Sequence, residues 1–184
     1  MNLPILLAPL RRMLAMALSA LTLAGCAGID TEMYAKEQPA LDLFRYFEGD
    51  VQAWGHFSDR SGKVVKRFSV DVRGTISGDV LTLDEQFRNS DGTRSQRTWT
   101  IRRTGPGRYQ GSAPDVIGSA AGASSGNALH WNYVLSLPVD GRTWQVDMDD
   151  WMWLQEDGVM LNKTVMSKFG IRVGEVLLAF RRRG

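Results

Sequence analysis

The stretch that decides the fold is the run Leu129-His130-Trp131-Asn132-Tyr133-Val134-Leu135-Ser136-Leu137. Large apolar side chains occupy every second position of this run, beginning with Leu129 and ending with Leu137. Polar residues fill the positions between them, except at Val134. Because the side chains of a β-strand point alternately to its two faces, this pattern predicts a strand with one face buried.

The same alternation continues on both sides of this run. After a turn at 138–141, the residues Trp144, Val146 and Met148 alternate with polar neighbours. Closer to the N-terminus, two further apolar series alternate in the same way: Phe68, Val70 and Val72, and then Leu81, Leu83 and Phe87. Asp-Gly and Ser-Gly pairs punctuate the chain between these segments and are typical of hairpin turns. We therefore expect a meander of about eight to ten antiparallel strands.

This organisation predicts an all-β fold, in the form of a single lipocalin-like antiparallel up-and-down barrel over residues 37–184. Closure into a barrel removes the exposed edges that a long meander would otherwise leave. A two-sheet β-sandwich also buries one face of each strand and remains the alternative. Pro39, followed by Leu43, Phe44 and Phe47 at helical spacing, predicts a short helix before the first strand.

Residues 1–25 have the layout of a secretory signal peptide. The basic pair Arg11-Arg12 precedes the apolar run Met13–Leu23, and small residues follow. This run is shorter than the roughly 20 apolar residues that a membrane-spanning helix needs. We expect cleavage between Gly25 and Cys26.

The segment Leu23-Ala24-Gly25-Cys26 resembles the lipobox of bacterial lipoproteins, and Cys26 is the only cysteine. The resemblance implies a diacylglycerol on the Cys26 thiol and an acyl chain on its amine, which together anchor the protein stably to a membrane. Ala27, in place of the aspartate that retains such proteins in the inner membrane, favours the periplasmic face of the outer membrane. Residues 26–36 are predicted to form a tether that reaches at most about 35 Å.

Charge and motif patterns exclude several classes of function. Without Arg11 and Arg12, the chain keeps 20 basic residues against 20 acidic ones, which gives no support to nucleic-acid binding. The Gly122–Gly126 segment fits the G-x-S-x-G nucleophile pattern, but a strand follows it and no histidine comes after His130. No histidine or acidic residue has metal-ligand spacing. We predict no catalytic residue, no metal and no cofactor besides the lipid on Cys26.

The apolar side of the two central strands predicts a pocket for a small apolar ligand, such as a fatty acyl chain. Its candidate residues are Trp131, Tyr133, Trp144, Val146 and Met148. A candidate polar site, where a lipid-modifying enzyme would do its chemistry, consists of His130, Asp147 and Asp149. A third hypothesis is a scaffold for a membrane protein, which would use Trp151 and Trp153 as its contact surface.

Six segments of the mature chain resemble a family of Gram-negative lipoproteins that is known as a domain of unknown function. The segments are Glu37–Phe44, Gln52–Gly55, Asp59–Lys63, Trp99–Arg103, Val146–Met152 and Met166–Gly170. The family has no agreed activity, so the resemblance identifies no catalytic residue in this chain. It favours a lipid as the ligand.

Overall fold

The computed structural model describes residues 30–139 and 141–183, and the predicted signal peptide and Cys26 lie outside this part. A 3₁₀-helix, Thr31–Tyr34, and one α-helix, α1 (Leu43–Phe47), precede the strands. The strands are β1 Gly49–Asp59, β2 Val64–Ser77, β3 Val80–Asn89, β4 Arg94–Gly105, β5 Arg108–Ser112, β6 Val116–Ser125, β7 Ala128–Val139, β8 Arg142–Leu154, β9 Met160–Lys168 and β10 Ile171–Arg182.

The ten strands form a closed antiparallel barrel. Each strand pairs with its neighbours in the chain, and β1 pairs with β10 from Val51 opposite Arg182 to Asp59 opposite Gly174. The predicted lipocalin-like up-and-down barrel is therefore confirmed, and the sandwich alternative is wrong because one continuous sheet closes on itself. The fold follows from the period-two pattern, since each strand turns one apolar face inward.

Helix α1 plugs one end of the barrel, and the short helix predicted here is confirmed. The Asp42 carboxylate caps it by accepting hydrogen bonds from the backbone N–H groups of Phe44 and Arg45, at 3.1 and 3.2 Å. The Phe47 ring packs edge-on against Phe180 at 5.6 Å. A Cβ atom at Gly74 would lie 1.7 Å from the Phe47 carbonyl oxygen, so only glycine lets the plug sit this close.

Tyr46 ties the plug to the barrel wall. Its hydroxyl lies 3.1 Å from the carbonyl oxygens of both Gly158 and Phe180 and donates to them. Burial raises the pKa of this hydroxyl to about 12, so it remains a donor over the whole physiological range. The hairpins β1–β2, β3–β4, β5–β6, β7–β8 and β9–β10 turn at the opposite end, because the strands alternate in direction.

The segment before α1 packs against the outside of the barrel. Thr31 is buried, and the ring of Tyr34 lies 5.9 Å from Trp151 and 6.3 Å from Trp153. Farther along, the Leu41 N–H donates to the Gly126 carbonyl at 2.8 Å. Within the segment predicted as a tether, Thr31 and Tyr34 thus contact the barrel, and residues 26–29 lie outside the described part of the chain. The ring of strands and its plug are complete within the described residues.

Candidate ligand-binding site

A cavity of about 370 Å³ occupies the interior of the barrel. Leu43 and Phe47 of helix α1 form its floor together with Phe180. Phe57 and Leu137, near the hairpin end, contribute to its upper wall. The cavity exists because the plug fills only one end, and the inward side chains of ten strands do not meet across the upper part.

Three of the five predicted pocket residues, Trp131, Tyr133 and Met148, line this cavity. Val146 is buried on the same inner face, where it packs with neighbouring side chains, but it does not line the cavity. Trp144 also lies outside the cavity and is 40% exposed, because it sits near the tip of the β7–β8 hairpin. There the ammonium group of Lys168 lies 4.9 Å from its ring.

Aromatic rings build one wall of the cavity. The ring of Trp99 lies 5.5 Å from Tyr133 in an edge-on arrangement and 6.5 Å from Trp131. Sequence reasoning did not single out Trp99, although it belongs to the alternating series of β4. Such contacts between aromatic rings orient the wall and add to the stabilisation that comes from burial.

The small-residue strand β6 makes room for this wall. A Cβ atom at Gly122 would lie 2.6 Å from the Trp131 ring, so a side chain there would displace the indole. Ser124, the serine of the tested nucleophile motif, lies in β6, with its hydroxyl 3.4 Å from the Tyr109 hydroxyl. The motif therefore reflects packing against Trp131 instead of the strand-to-helix turn that a catalytic serine of this type requires.

Polar side chains also face the cavity, and the sequence analysis missed them. They are Lys66 on β2, Glu85 on β3, Arg97 on β4, Asp150 on β8, and Asn162 and Thr164 on β9. A signal was present, because each occupies an inward position within an apolar alternation, as in Met148-x-Asp150-x-Met152. Attention to polar residues at inward positions would have found them.

Glu85 and Arg97 form a buried ion pair on one wall. The Arg97 Nε donates to Glu85 Oε2 at 2.8 Å, and Nη1 lies 3.4 Å from Asp115 Oδ2. Burial lowers the pKa of Arg97, but its interactions with Glu85, Tyr133 and Asp115 together raise it by more, so the guanidinium stays charged. Burial also raises the pKa of Glu85, which Arg97 opposes.

Asp150 is the centre of a second polar group. Its carboxylate accepts hydrogen bonds from the Asn162 amide and from the Tyr133 hydroxyl, the latter at 3.3 Å. Burial raises the pKa of Asp150 to about 6, although the hydrogen bonds from Asn162, Thr164 and Tyr133 lower it. This carboxyl group therefore titrates near neutral pH inside an apolar cavity.

The predicted polar site lies on the outer surface of the barrel. His130 Nε2 is 2.5 Å from Asp149 Oδ1, and the His130 ring stacks on Trp151 at 4.1 Å. Asp147 does not join them, because it lies opposite Val134 on β7 and Ser167 on β9. The structure thus brings His130 and Asp149 together, but on the face that points away from the cavity.

The outer aromatic group is well packed. Trp151 is only 9% exposed, since His130 stacks on it and Tyr34 lies beside it. Across residues 30–139 and 141–183, no group of three or more His, Cys, Asp or Glu side chains is placed to hold a metal ion. Within the same residues, no helix has the length and apolar character needed to cross a membrane.

The fold is similar to that of the S-type phycobiliprotein lyase CPES from Guillardia theta. The match has a TM-score of 0.59 and covers 85% of this chain and 99% of the lyase, at 6% sequence identity. No curated protein is significantly similar to the chain in sequence. Residues 20–182, however, match the family described as protein of unknown function DUF3833. The chain therefore belongs to the DUF3833 family.

Proposed function

We propose that this protein binds an apolar ligand, such as a lipid with a fatty acyl chain, inside its barrel while a lipid on Cys26 anchors it to the periplasmic face of the outer membrane. The cavity of about 370 Å³ carries the proposal. Its volume falls within the range of about 300–1,000 Å³ that is characteristic of small-molecule sites, and its walls are mostly apolar. A packed barrel core would leave no such space.

The similarity in fold to a phycobiliprotein lyase supports a role for the barrel in holding a ligand. At 6% identity, it supports no particular reaction. The separation of His130 and Asp149 from the cavity also argues for binding without catalysis, because a ligand in the barrel would not reach them.

The lipobox sequence at Cys26 supports the anchor. Because the packed domain begins near Asp30, three residues, 27–29, separate it from Cys26, and the four Cα–Cα steps reach about 14 Å when extended. This short connection would keep the barrel beside the membrane, where apolar ligands are concentrated.

A pair of neighbouring leucines on β10 tests the binding proposal. Leu178 lines the cavity, whereas Leu177 points outward and is exposed. We expect Leu178→Trp to weaken binding at least tenfold by filling the cavity, and Leu177→Trp to leave it unchanged. Binding is measured with a chain that starts at residue 27, by the fluorescence increase of the neutral probe N-phenyl-1-naphthylamine and its displacement by dodecyl compounds.

Two results would count against the proposal. One is the absence of saturable probe binding to the folded wild-type chain. The other is an equal affinity of the Leu178→Trp and Leu177→Trp variants, which would place the probe outside the barrel. Organic extraction of protein purified from cells, followed by mass spectrometry, would identify the ligand that the barrel carries in vivo.

An outward apolar row favours the scaffold hypothesis as a second function. Trp54, Ala179, Leu161 and Trp153 are cross-strand neighbours from β1 to β8, and Trp54 and Leu161 are exposed. A photo-crosslinking residue at position 161 should then capture one discrete partner in cells, and the same residue at exposed Arg94 should not. Capture at neither position would eliminate this hypothesis.

A further inference from the structure

Two carboxylates face the cavity from opposite walls. Glu85 lies on β3 and Asp150 on β8, and four strands separate these two in either direction around the ring of ten. Both residues are at least nine-tenths buried. A ligand in the cavity would therefore pass between two acidic side chains.

The buried guanidinium of Arg97 offsets the charge of Glu85 but forms no ion pair with Asp150. Arg97 binds Glu85 through Nε and lies within reach of Asp115 through Nη1, so it already has two acidic partners on its own wall. Its guanidinium also stacks over the rings of Phe87 and Trp99, at 5.6 and 5.3 Å, which holds it against that wall. The other cationic residue of the cavity, Lys66, pairs with Asp91 at 3.2 Å and is half-exposed. Among the described residues, no cation lies within 4 Å of the Asp150 carboxylate, and the charge of Arg97 acts on it only from a greater distance.

The hydrogen bonds of the cavity walls also favour a ligand that donates, because the donors there are already used. The Asn162 amide donates both to Asp150 and to the Trp151 carbonyl, the latter at 2.9 Å, and the Tyr133 hydroxyl donates to Asp150. These donors are directed at acceptors of the protein itself. A carboxylate has about four acceptor sites, and among the described residues Glu85 accepts a single hydrogen bond, from Arg97 to Oε2. The walls therefore offer spare acceptors near the middle of the cavity.

From this balance of charge and hydrogen bonding, we infer that the ligand carries a hydrogen-bond donor, as a hydroxyl, amide or ammonium group, and not a free carboxylate. This group lies between Glu85 and Asp150, and the apolar chain occupies the rest of the cavity. The inference rests on the proposed function, because it concerns the same cavity. It narrows the ligand from any apolar compound to a long-chain alcohol, amide or amine.

The physical reason is the cost of placing like charges together in an apolar site. A carboxylate ligand would lose its hydration and gain a neighbour of the same sign, both of which are unfavourable. A hydroxyl or amide N–H would instead give a buried acceptor the partner that buried polar groups require. An ammonium group would in addition offset the excess negative charge of the walls.

The experiment compares dodecanol, dodecanamide, dodecylammonium and dodecanoate as competitors of N-phenyl-1-naphthylamine at pH 7.5, with the chain that starts at residue 27. We expect each of the first three to bind at least tenfold more tightly than dodecanoate. Glu85→Gln should narrow or reverse this preference, because it removes the carboxylate that neutralises Arg97. Asp150→Asn, which keeps the shape of the side chain, provides a second test if Glu85→Gln does not fold.

The matched control is Glu175→Gln on the outer face of β10. Glu175 is also paired with cations, with Lys163 at 3.3 Å and Arg172 at 3.1 Å, but it does not line the cavity. Its replacement should leave the order of the four ligands unchanged.

The outcomes separate this inference from the proposed function. If dodecanoate binds as tightly as the other three compounds or more tightly, the barrel binds apolar ligands but the inference is wrong. An unchanged preference in both Glu85→Gln and Asp150→Asn would also overturn it. If none of the four compounds displaces the probe, the proposed function fails and the inference fails with it.

Discussion

The two ends of the barrel differ in how deeply they bury their apolar side chains. At the plugged end, Leu43 and Phe47 are almost completely buried, and the Tyr46 hydroxyl is hydrogen-bonded to the wall. At the hairpin end, Phe169 is 87% exposed and Ile171 is 65% exposed. The plugged end thus supplies most of the packing that stabilises the barrel, whereas the hairpin end leaves an apolar rim around the cavity.

The backbone conformation also differs between the hairpin end and the plugged end. Phe169 has a φ of 51°, a left-handed conformation that is unusual for a bulky residue, and Gly170 follows it with a φ of 74°. At the plugged end, by comparison, the glycine at 74 permits a close approach that improves packing. The exposed phenylalanine therefore costs stability at a position where it contributes little packing. Such a cost is common at binding surfaces.

The strongest test of this contrast is to truncate one phenylalanine at each end. Phe47→Ala should lower the free energy of unfolding by about 3–5 kcal/mol, because it empties a packed site. Phe169→Ala should change it by less than about 0.5 kcal/mol, because the ring is almost fully in solvent. Urea unfolding followed by circular dichroism measures both values. Similar losses from the two substitutions would show that the ends are equally important for stability.

Asp150, between the two ends, should make stability depend on pH. Its pKa is about 6 in the fold, against an ordinary value of 3.8, so the folded state holds the proton more tightly than the unfolded state. The group costs nothing below the lower value. Its cost grows as the pH rises between the two values and levels off above the higher one, at about 3 kcal/mol.

The comparison with Asp150→Asn isolates this contribution. Wild-type protein should lose stability relative to the variant between pH 4 and pH 7, in urea titrations at each pH. A constant difference over this range would mean that Asp150 titrates normally and that the cavity wall is better hydrated than its burial indicates.

Tyr46→Phe should remove the hydrogen bonds of the plug while keeping its ring. The carbonyl oxygens of Gly158 and Phe180 would lose this donor, at a cost of about 1–2 kcal/mol in the free energy of unfolding. The control is Tyr34→Phe, whose ring packs on the outer surface. Equal small effects from both changes would indicate that packing alone holds the plug.

Phe169→Gly should have the smallest effect and the opposite sign. Glycine adopts a positive φ without steric cost, so the variant should be more stable by up to about 1 kcal/mol. The control is Gly170→Ala, which introduces a side chain at a positive φ and should lower stability. A loss of stability in Phe169→Gly would show that the exposed ring contributes to the fold, for example through Lys168, whose ammonium lies 4.6 Å from it.

The alternating sequence predicted the architecture well because a period of two depends only on which face of a strand is buried. The run from Leu129 to Leu137 is one strand, β7, and Leu43 and Phe47 begin and end the plug helix. The pattern also identified the strands that carry Trp131 and Met148. The pattern shows which side chains of these strands point inward. It does not show at which height along the barrel the cavity lies.

The features that the alternation did not predict depend on the position of a residue along the barrel axis and on contacts between segments that are remote in sequence. Trp144 has the same inward parity as Met148, but it lies near a hairpin tip where no opposite wall encloses it. The segment at 30–36 is short and polar, so nothing in its local sequence indicates that Tyr34 packs on Trp151. Glu85 and Arg97 occupy inward positions that the alternation identifies, but only the register of β3 and β4 shows that they lie opposite each other.

The pairing of β1 with β10 has a consequence for the order of folding. Val51 near the start of the domain must meet Arg182 near its end, so the ring cannot close until the chain has been made through β10. Contacts between residues so far apart in sequence slow folding. A chain that stops before residue 171 would lack β10 and expose two unpaired edges, on β1 and β9, which are sites for aggregation. Only a chain that includes β10 can therefore close the ring and cover both edges.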